Sequence, residues 1–385
     1  MANKLLQTIL IKPAGADCNL NCAYCFYLDK ASLYQGEKAK RMSAGVLEEI
    51  VKQAMHYSVQ RIGMVWQGGE PTLMGLDFFK RVIELQLHYG KNISISNVLQ
   101  TDALLLDADW AGFLSEYNFL VGVSIDGPQH VHDYYRKDKA GKGTWERVLK
   151  NTNLLLNRNV AVNSLFCVTN YSAKYPEEIY GFLYRSGILN MQFIPVVETD
   201  KENIKKAADF SVSAKAFGEF LCRIFDLWKS DFSYGRPKVS VRFFEELFYN
   251  YIGYEPPECT FQKECGKYLV VEYNGDVYSC DFFVESRGLL GNIMQTNLLT
   301  LLNSEKQNEF GKQKSALNKN CFSCKWLNYC HGGCIKDRIR DPEDKGQNHF
   351  CESYKMVFEY SDSFMKQLSE RWLDNQKKQQ KTYKL

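Results

Sequence analysis

Two rhythms of apolar residues alternate along the chain as far as about residue 230. The first is short and β-rich: TILIKP (8–13), IGMVWQ (62–67), ISISNVL (93–99), FLVGVSI (119–125), VAVNSLFCV (160–168) and MQFIPVV (191–197). The second fills the gaps. VLEEIVKQAMHY and LDFFKRVIELQLHY place apolar side chains three and four residues apart, the spacing of one helix face. Six strand-then-helix units in succession predict an α/β fold with a parallel sheet, a partial (β/α)6 barrel like an incomplete TIM barrel. Reactive groups in such folds sit at the C-terminal ends of the strands.

After residue 235 the pattern changes. Cysteine, glycine and aromatic residues rise, and long periodic helices are absent until about 351. This predicts two parts: a barrel over residues 1–235, and a small metal-organised domain over 236–385 that ends in a C-terminal helix. The basic end of that helix, NQKKQQKTYKL, is expected to fray.

At 385 residues the chain can bury one large core or two medium ones. Its 48 basic and 45 acidic residues nearly cancel, so bulk charge points to neither nucleic acid nor an anionic membrane. No stretch approaches the roughly 20 apolar residues that span a bilayer. The opening MANKLLQTILIKPAG lacks the apolar core and cleavage site of a signal peptide. A soluble, cytoplasmic protein is expected.

Thirteen cysteines change the picture. An odd number with no export signal predicts reduced thiols rather than disulfides. Cys167 and Cys222 lie in apolar runs and read as small buried hydrophobes. The other eleven fall into two groups. Cys18, Cys22 and Cys25 directly follow the first strand. Three thiolates can hold three corners of a cubane iron–sulfur cluster and leave the fourth iron open to a small molecule. Zinc suits the triplet less well, because structural zinc takes four protein ligands and the next histidine is His56. The second group is Cys259, Cys265, Cys280, Cys321, Cys324, Cys330, Cys334 and Cys351. Eight thiolates make two sets of four, which suit zinc and iron–sulfur clusters alike.

The run KPAGADCNLNCAYCFY, with WQGGEPTLMGLDFF, VSIDGP, YSCDFFV and CFSCKWLNYCHGGC, resembles the radical S-adenosylmethionine enzymes that carry a SPASM auxiliary-cluster domain. The likeness is closest to the anaerobic sulfatase-maturating enzymes and runs nearly the whole chain. It implies three [4Fe–4S] clusters and S-adenosylmethionine as cofactors. The triplet would hold the radical cluster. Cys259, Cys265, Cys280 and Cys334 would hold one auxiliary cluster, and Cys321, Cys324, Cys330 and Cys351 the other. Tyr24 would lie close to the metal. Gln67, Gly68, Gly69 and Glu70 would meet the methionine amino group. Ser124 and Asp126 would contact the cofactor, with Asp126 accepting from ribose hydroxyls, and Arg136 would pair with the methionine carboxylate.

The resemblance further implies oxidation of a cysteine or serine of a sulfatase to Cα-formylglycine. An adenosyl radical would take a β-hydrogen, Asp281 would take the thiol or hydroxyl proton, and an auxiliary cluster would take the remaining electron. The implied partners are an unfolded or nascent sulfatase segment and an electron donor such as flavodoxin or ferredoxin, with no nucleic acid and no membrane. One departure stands out: relatives commonly read QTNG where this chain has Gln100-Thr101-Asp102-Ala103. Two other readings stay open at this level. One is a different SPASM-type peptide modification, such as a thioether or cross-link. The other is a zinc-stabilised binding module without catalysis.

Overall fold

The computed structural model of the chain describes residues 3–33, 40–233 and 235–382. It divides into two compact units. The first holds the chain up to Ile125, Gln129–Ser164 and Cys265–Gln313. The second holds Asp126–Pro128, Leu165–Glu264 and the chain from Lys314 on.

The strands run β1 (Thr8–Lys12), β2 (Arg61–Trp66), β3 (Ser94–Thr101), β4 (Leu120–Val123), β5 (Ala161–Val168) and β6 (Asn190–Pro195), each within two residues of its apolar run. Two two-residue strands, β7 (Phe232–Ser233) and β8 (Arg236–Pro237), form a hairpin, and β9 (Ser240–Val241) follows. Late in the chain come β10 (Leu269–Glu272), β11 (Asp276–Tyr278) and β12 (Leu289–Asn292).

In the first unit the sheet order is β12-β11-β10-β1-β2-β3-β4-β5. From β10 to β5 the pairings are parallel. Burial explains the strands: Ile62, Met64 and Trp66 of β2 are buried in alternation, and Ile9 and Ile11 of β1 are fully enclosed. Crossover helices α1 (Ala44–Tyr57), α2 (Leu76–Tyr89), α3 (Ala108–Glu116), α4 (Gln129–Tyr135) and α5 (Trp145–Asn157) cover the sheet. Helix α1 starts where Ser43 Oγ accepts the Val46 N–H at 3.3 Å, and it buries Val46, Leu47, Ile50, Val51 and Ala54 as one stripe. Asp107 caps α3 by accepting from the N–H groups of Asp109 and Trp110, both at 3.0 Å.

Strands β10 and β11 pair antiparallel through Val270 and Tyr278. Strand β10 also lies parallel to β1, with Ile9 opposite Leu269 and Lys12 opposite Glu272. This late segment thus completes the sheet on the free edge of β1. Helices α9 (Leu298–Leu302) and α10 (Glu305–Gln313) follow it.

In the second unit the order is β5-β6-β9. Helices α6 (Pro176–Arg185), α7 (Ala214–Ser230), α8 (Arg242–Tyr251), α11 (Leu327–Cys330) and α12 (Cys351–Thr382) belong to it. Its core is aromatic: Phe217 meets Phe350 at 5.2 Å between ring centres, and Phe225 meets Phe244 at the same distance. One expectation is corrected. The stretch after residue 235 contains a ten-residue helix, α8, with Phe243, Phe244 and Leu247 buried. Helix α12 runs to Thr382, and the last three residues of the basic tail lie outside the described residues.

Candidate functional site

Four loops of the first unit meet the C-terminal strand ends: residues 13–25 after β1, 67–70 after β2, 102–104 after β3 and Ser124 after β4. The loop of the cysteine triplet is strapped down by backbone bonds. The Asn21 N–H donates to Lys137 O at 2.8 Å, the Ala23 N–H to Tyr135 O at 3.4 Å, and the Cys25 N–H to Cys22 O at 3.0 Å. The Leu20 N–H points at Cys18 Sγ at 3.4 Å. Gly69 N donates to Gly15 O at 2.7 Å and Glu70 N to Asp17 O at 2.8 Å, which locks the loop after β2 onto the residues leading to Cys18. Glycine is required there: a Cβ on Gly69 would lie 2.0 Å from Asp17 O. Gly68 has φ +124°, a conformation side chains rarely adopt. Gln67 is buried and hangs from β1 by its N–H to Ile11 O at 2.9 Å. Tyr24 is buried edge-on against Tyr135. The Arg136 guanidinium lies 5.4 Å from the Tyr24 ring centre and 4.0 Å from Cys22 Sγ.

Glu70 is buried and acts as a clip between two loops. Its Oε1 accepts from Thr72 N at 2.9 Å, Thr72 Oγ1 at 2.5 Å and Thr101 Oγ1 at 2.8 Å; its Oε2 accepts from Asp102 N at 2.8 Å. Asp102 is also buried. Its Oδ1 accepts from Leu104 N at 2.9 Å, and its Oδ2 has no hydrogen-bond partner. Burial pushes both carboxyls up, and the Glu70 charge adds to the rise at Asp102. Burial also pushes the Cys18 thiol up, with the Asp102 charge next in weight. Ser124 is half-buried, its N–H on Thr101 O at 2.9 Å. Asp126 belongs to the second unit, where its Oδ1 accepts from Cys167 N at 3.0 Å. Cys167 and Cys222, expected to be buried, are half-buried.

Asp281 pairs with Lys12, the last residue of β1. Lys12 is 1% exposed and its Nζ sits 3.6 Å from the centre of the Tyr27 ring. Glu272, opposite Lys12 in the register of β1 and β10, accepts from Tyr27 Oη. Burial pushes the Glu272 carboxyl from 4.5 up to about 7, against the pull of Lys12 and the Tyr27 hydroxyl. Lys12 and Glu272 were not singled out from the sequence. The signal for Lys12 was a cation inside an apolar strand; Glu272 had none.

In the second unit Cys321, Cys324, Cys330 and Cys351 line one cavity of about 470 Å³, open solvent included, with Trp326, Tyr354 and Phe358. Cys334 does not line it. Burial first, and then the neighbouring Cys351, Cys324 and Cys321, push the Cys330 thiol up to about 11. Cys259 and Cys334 also belong to the second unit, whereas Cys265 and Cys280 belong to the first. Cys280 Sγ lies 3.4 Å from Tyr268 Oη.

Residues 13–183 match the Radical SAM superfamily, and residues 259–325 match the SPASM iron–sulfur cluster-binding domain. The serine-type anaerobic sulfatase-maturating enzyme of Bacteroides thetaiotaomicron is 37% identical, over 96% of this chain and 92% of its own. The chain belongs to the anaerobic sulfatase-maturating enzymes. The cysteine-type enzyme of Clostridium perfringens strain 13 is also 37% identical, over 92% of this chain and 96% of its own. A solved structure described as native anSMEcpe with bound AdoMet and Cp18Cys peptide matches with a TM-score of 0.86 and 35% identity, over 95% of this chain and 99% of that one.

As a member of this family the protein binds S-adenosylmethionine and [4Fe–4S] clusters of the radical core and the SPASM region. The donor set fits clusters. Burial first, and then neighbouring thiols, raise Cys330 and Cys351 in the shared cavity, and a bound metal deprotonates a thiol outright. The orphaned Asp102 Oδ2 fits a cationic ligand at the triplet. Among the described residues no helix is long and apolar enough to cross a membrane.

Proposed function

We propose that the protein converts a cysteine or serine in an unfolded or nascent sulfatase segment to Cα-formylglycine, with Asp281 as the proton acceptor. The observation that carries this reading is the Lys12–Asp281 pair. It holds a carboxylate at the C-terminal end of β1, the strand that runs into Cys18, Cys22 and Cys25.

Three [4Fe–4S] clusters are assigned. Cys18, Cys22 and Cys25 hold the radical cluster. Cys259, Cys265, Cys280 and Cys334 hold one auxiliary cluster; Cys321, Cys324, Cys330 and Cys351 hold the other. When bound, these groups and S-adenosylmethionine supply an adenosyl radical that takes a β-hydrogen, and an acceptor for the second electron. The protein's own residues do the rest. Lys12 orients the Asp281 carboxylate, which receives the thiol or hydroxyl proton as the C=S or C=O bond forms. Arg136, against Tyr24 and Cys22, faces the methionine carboxylate, while Gln67, Gly68, Gly69 and Glu70 shape the wall for the methionine amino group. Ser124 and Asp126 contact the nucleoside. Residues 1–235 act as the barrel and 236–385 as the auxiliary-cluster domain. The reaction runs in the cytoplasm, with flavodoxin or ferredoxin as electron donor.

The test is anaerobic incubation of cluster-loaded protein, reductant and S-adenosylmethionine with paired cysteine- and serine-containing sulfatase peptides. An aldehyde on the target residue, trapped by a hydrazide and located by mass spectrometry, is expected. A thioether or cross-link with no aldehyde would replace this reading with the other peptide-modifying one.

A further inference from the structure

Glu70, the acid expected to meet the methionine amino group, has three donors on Oε1 and the Asp102 N–H on Oε2. It is spent on holding the loops after β2 and β3 together. The neighbouring acid is not spent. Asp102 is 5% exposed, and its Oδ2 finds no donor. A buried oxygen without a donor is unfavourable, and more so when charged. The strain is not an accident of a loose loop. Ala103 is held at φ 63°, a left-handed conformation that disfavours a residue with a Cβ. Its N–H donates to Thr101 Oγ1 at 3.0 Å, and its carbonyl accepts from Asn151 Nδ2 at 2.9 Å. Asp102 Oδ1 is fixed by Leu104 N. The backbone and one oxygen are thus pinned, and the second oxygen is presented free.

Two further features say what it meets. The Asp102 N–H donates to Glu70 Oε2 at 2.8 Å, and Glu70 N donates to Asp17 O at 2.8 Å, so Asp102 is tied through Glu70 to the residue before Cys18. It also shares its buried surroundings with the Glu70 carboxylate. Two enclosed carboxylates repel unless a cation or a shared proton lies between them, and an arriving ammonium group can take that place. S-adenosylmethionine brings an ammonium group with N–H donors to the open side of the triplet. An amide at this position would satisfy itself with a neutral partner, but a carboxylate there asks for a positive one.

We propose that Asp102 Oδ2 accepts a hydrogen bond from the amino group of S-adenosylmethionine and is the acid that recognises that group in this chain. The inference rests on the reading of residues 18–25 as the radical-cluster site. The test uses cluster-loaded full-length protein under anaerobic conditions and measures dissociation constants by equilibrium dialysis. The ligands are S-adenosylmethionine and 5′-methylthioadenosine, which lacks the amino acid moiety. The variants are Asp102→Asn and Asp102→Ser; both retain an oxygen for the Leu104 N–H, and neither carries charge. A charge-assisted bond predicts S-adenosylmethionine affinity weakened roughly tenfold or more in both variants, with 5′-methylthioadenosine binding and iron content unchanged. Equal S-adenosylmethionine affinity in parent and variants overturns the proposal. So does equal weakening of both ligands. Loss of iron in both variants also overturns it, and reassigns Asp102 to holding the loop. A parent protein that binds iron but no S-adenosylmethionine defeats the radical-enzyme reading itself, a different result from failure of Asp102 alone.

Discussion

Replacing Glu272 by Gln removes one titrating proton from the edge where β10 meets β1 and leaves the shape unchanged. The side-chain oxygen still accepts from Tyr27 Oη, and Lys12 keeps Asp281 as its partner. In the parent the carboxyl is fully enclosed, one of its oxygens, Oε2, has no hydrogen-bond partner, and it holds its proton up to about pH 7 instead of 4.5. The folded state therefore binds this proton more tightly than the unfolded chain. Its contribution to stability is present in full below 4.5 and is lost as pH rises through about 7. At roughly 1.36 kcal/mol per pH unit the whole span is worth about 3 kcal/mol, of which about 2 fall between about pH 5.5 and about pH 8. Glu246 is also raised to about 7, by burial first, but it titrates alike in parent and variant, so the difference isolates Glu272. The assay is thermal unfolding at matched iron content across that range. The parent midpoint should fall more steeply with pH than that of Glu272→Gln. The gap should widen by roughly 4–8 °C, the shift that about 2 kcal/mol produces in a domain of some 200 residues. Parallel curves would show that Glu272 does not carry its proton into the fold, and the account of this edge would be wrong.

Asp281→Asn keeps size and most hydrogen bonds but removes the basic oxygen. Formylglycine formation should drop by about a hundredfold or more while iron content and S-adenosylmethionine cleavage persist, and a near-normal aldehyde yield would exclude Asp281 as the base. Replacing Cys18, Cys22 and Cys25 together by Ala should remove about one third of the iron, if one of three cubanes depends on them, and abolish S-adenosylmethionine cleavage. A colourless product would mean that the cysteines are divided wrongly. Cys324→Ala should lower both soluble yield and iron, since small metal-organised regions fold around their metal. A soluble variant with full iron would take this residue out of the ligand set.

The sheet was legible because its parallel strands carry short β-rich apolar runs bounded by helical spacing, and six such runs became β1 to β6. Helix α8 was not recognised. RFFEELFYNY buries Phe243, Phe244 and Leu247 on one face, but its remaining aromatics mask that spacing in a region rich in them. The pairing of β10 with β1 left no local trace. Ile9 meets Leu269 across most of the chain, and short runs such as LVVE fit many edges equally well.

The same division applies to the site. Cysteines declare themselves by spacing, because thiolates that share a cluster must lie within one loop or come in recognisable sets. Acids do not, since a carboxylate can bind a ligand, cap a turn or clip two loops with the same side chain. Glu70 stood in the motif expected to face the cofactor, yet the threonines at 72 and 101 and the backbone of Asp102 claim its oxygens. Thr72 is two residues from Glu70, but Thr101 and Asp102 are more than thirty away, and nothing near Glu70 foretells them. Asp102 was visible only as a departure, an acid where an amide is common. Its free oxygen exists because Leu104 takes the other one and Ala103 is held in a strained turn. Lys12 follows the same logic. A lysine inside an apolar strand is unfavourable without partners. Those partners, Asp281 and Glu272, come from the segment that adds itself to the sheet some 260 residues later. The position of the proposed base therefore depends on that long-range pairing: Asp281 is placed by a cation on β1 as much as by its neighbour Cys280.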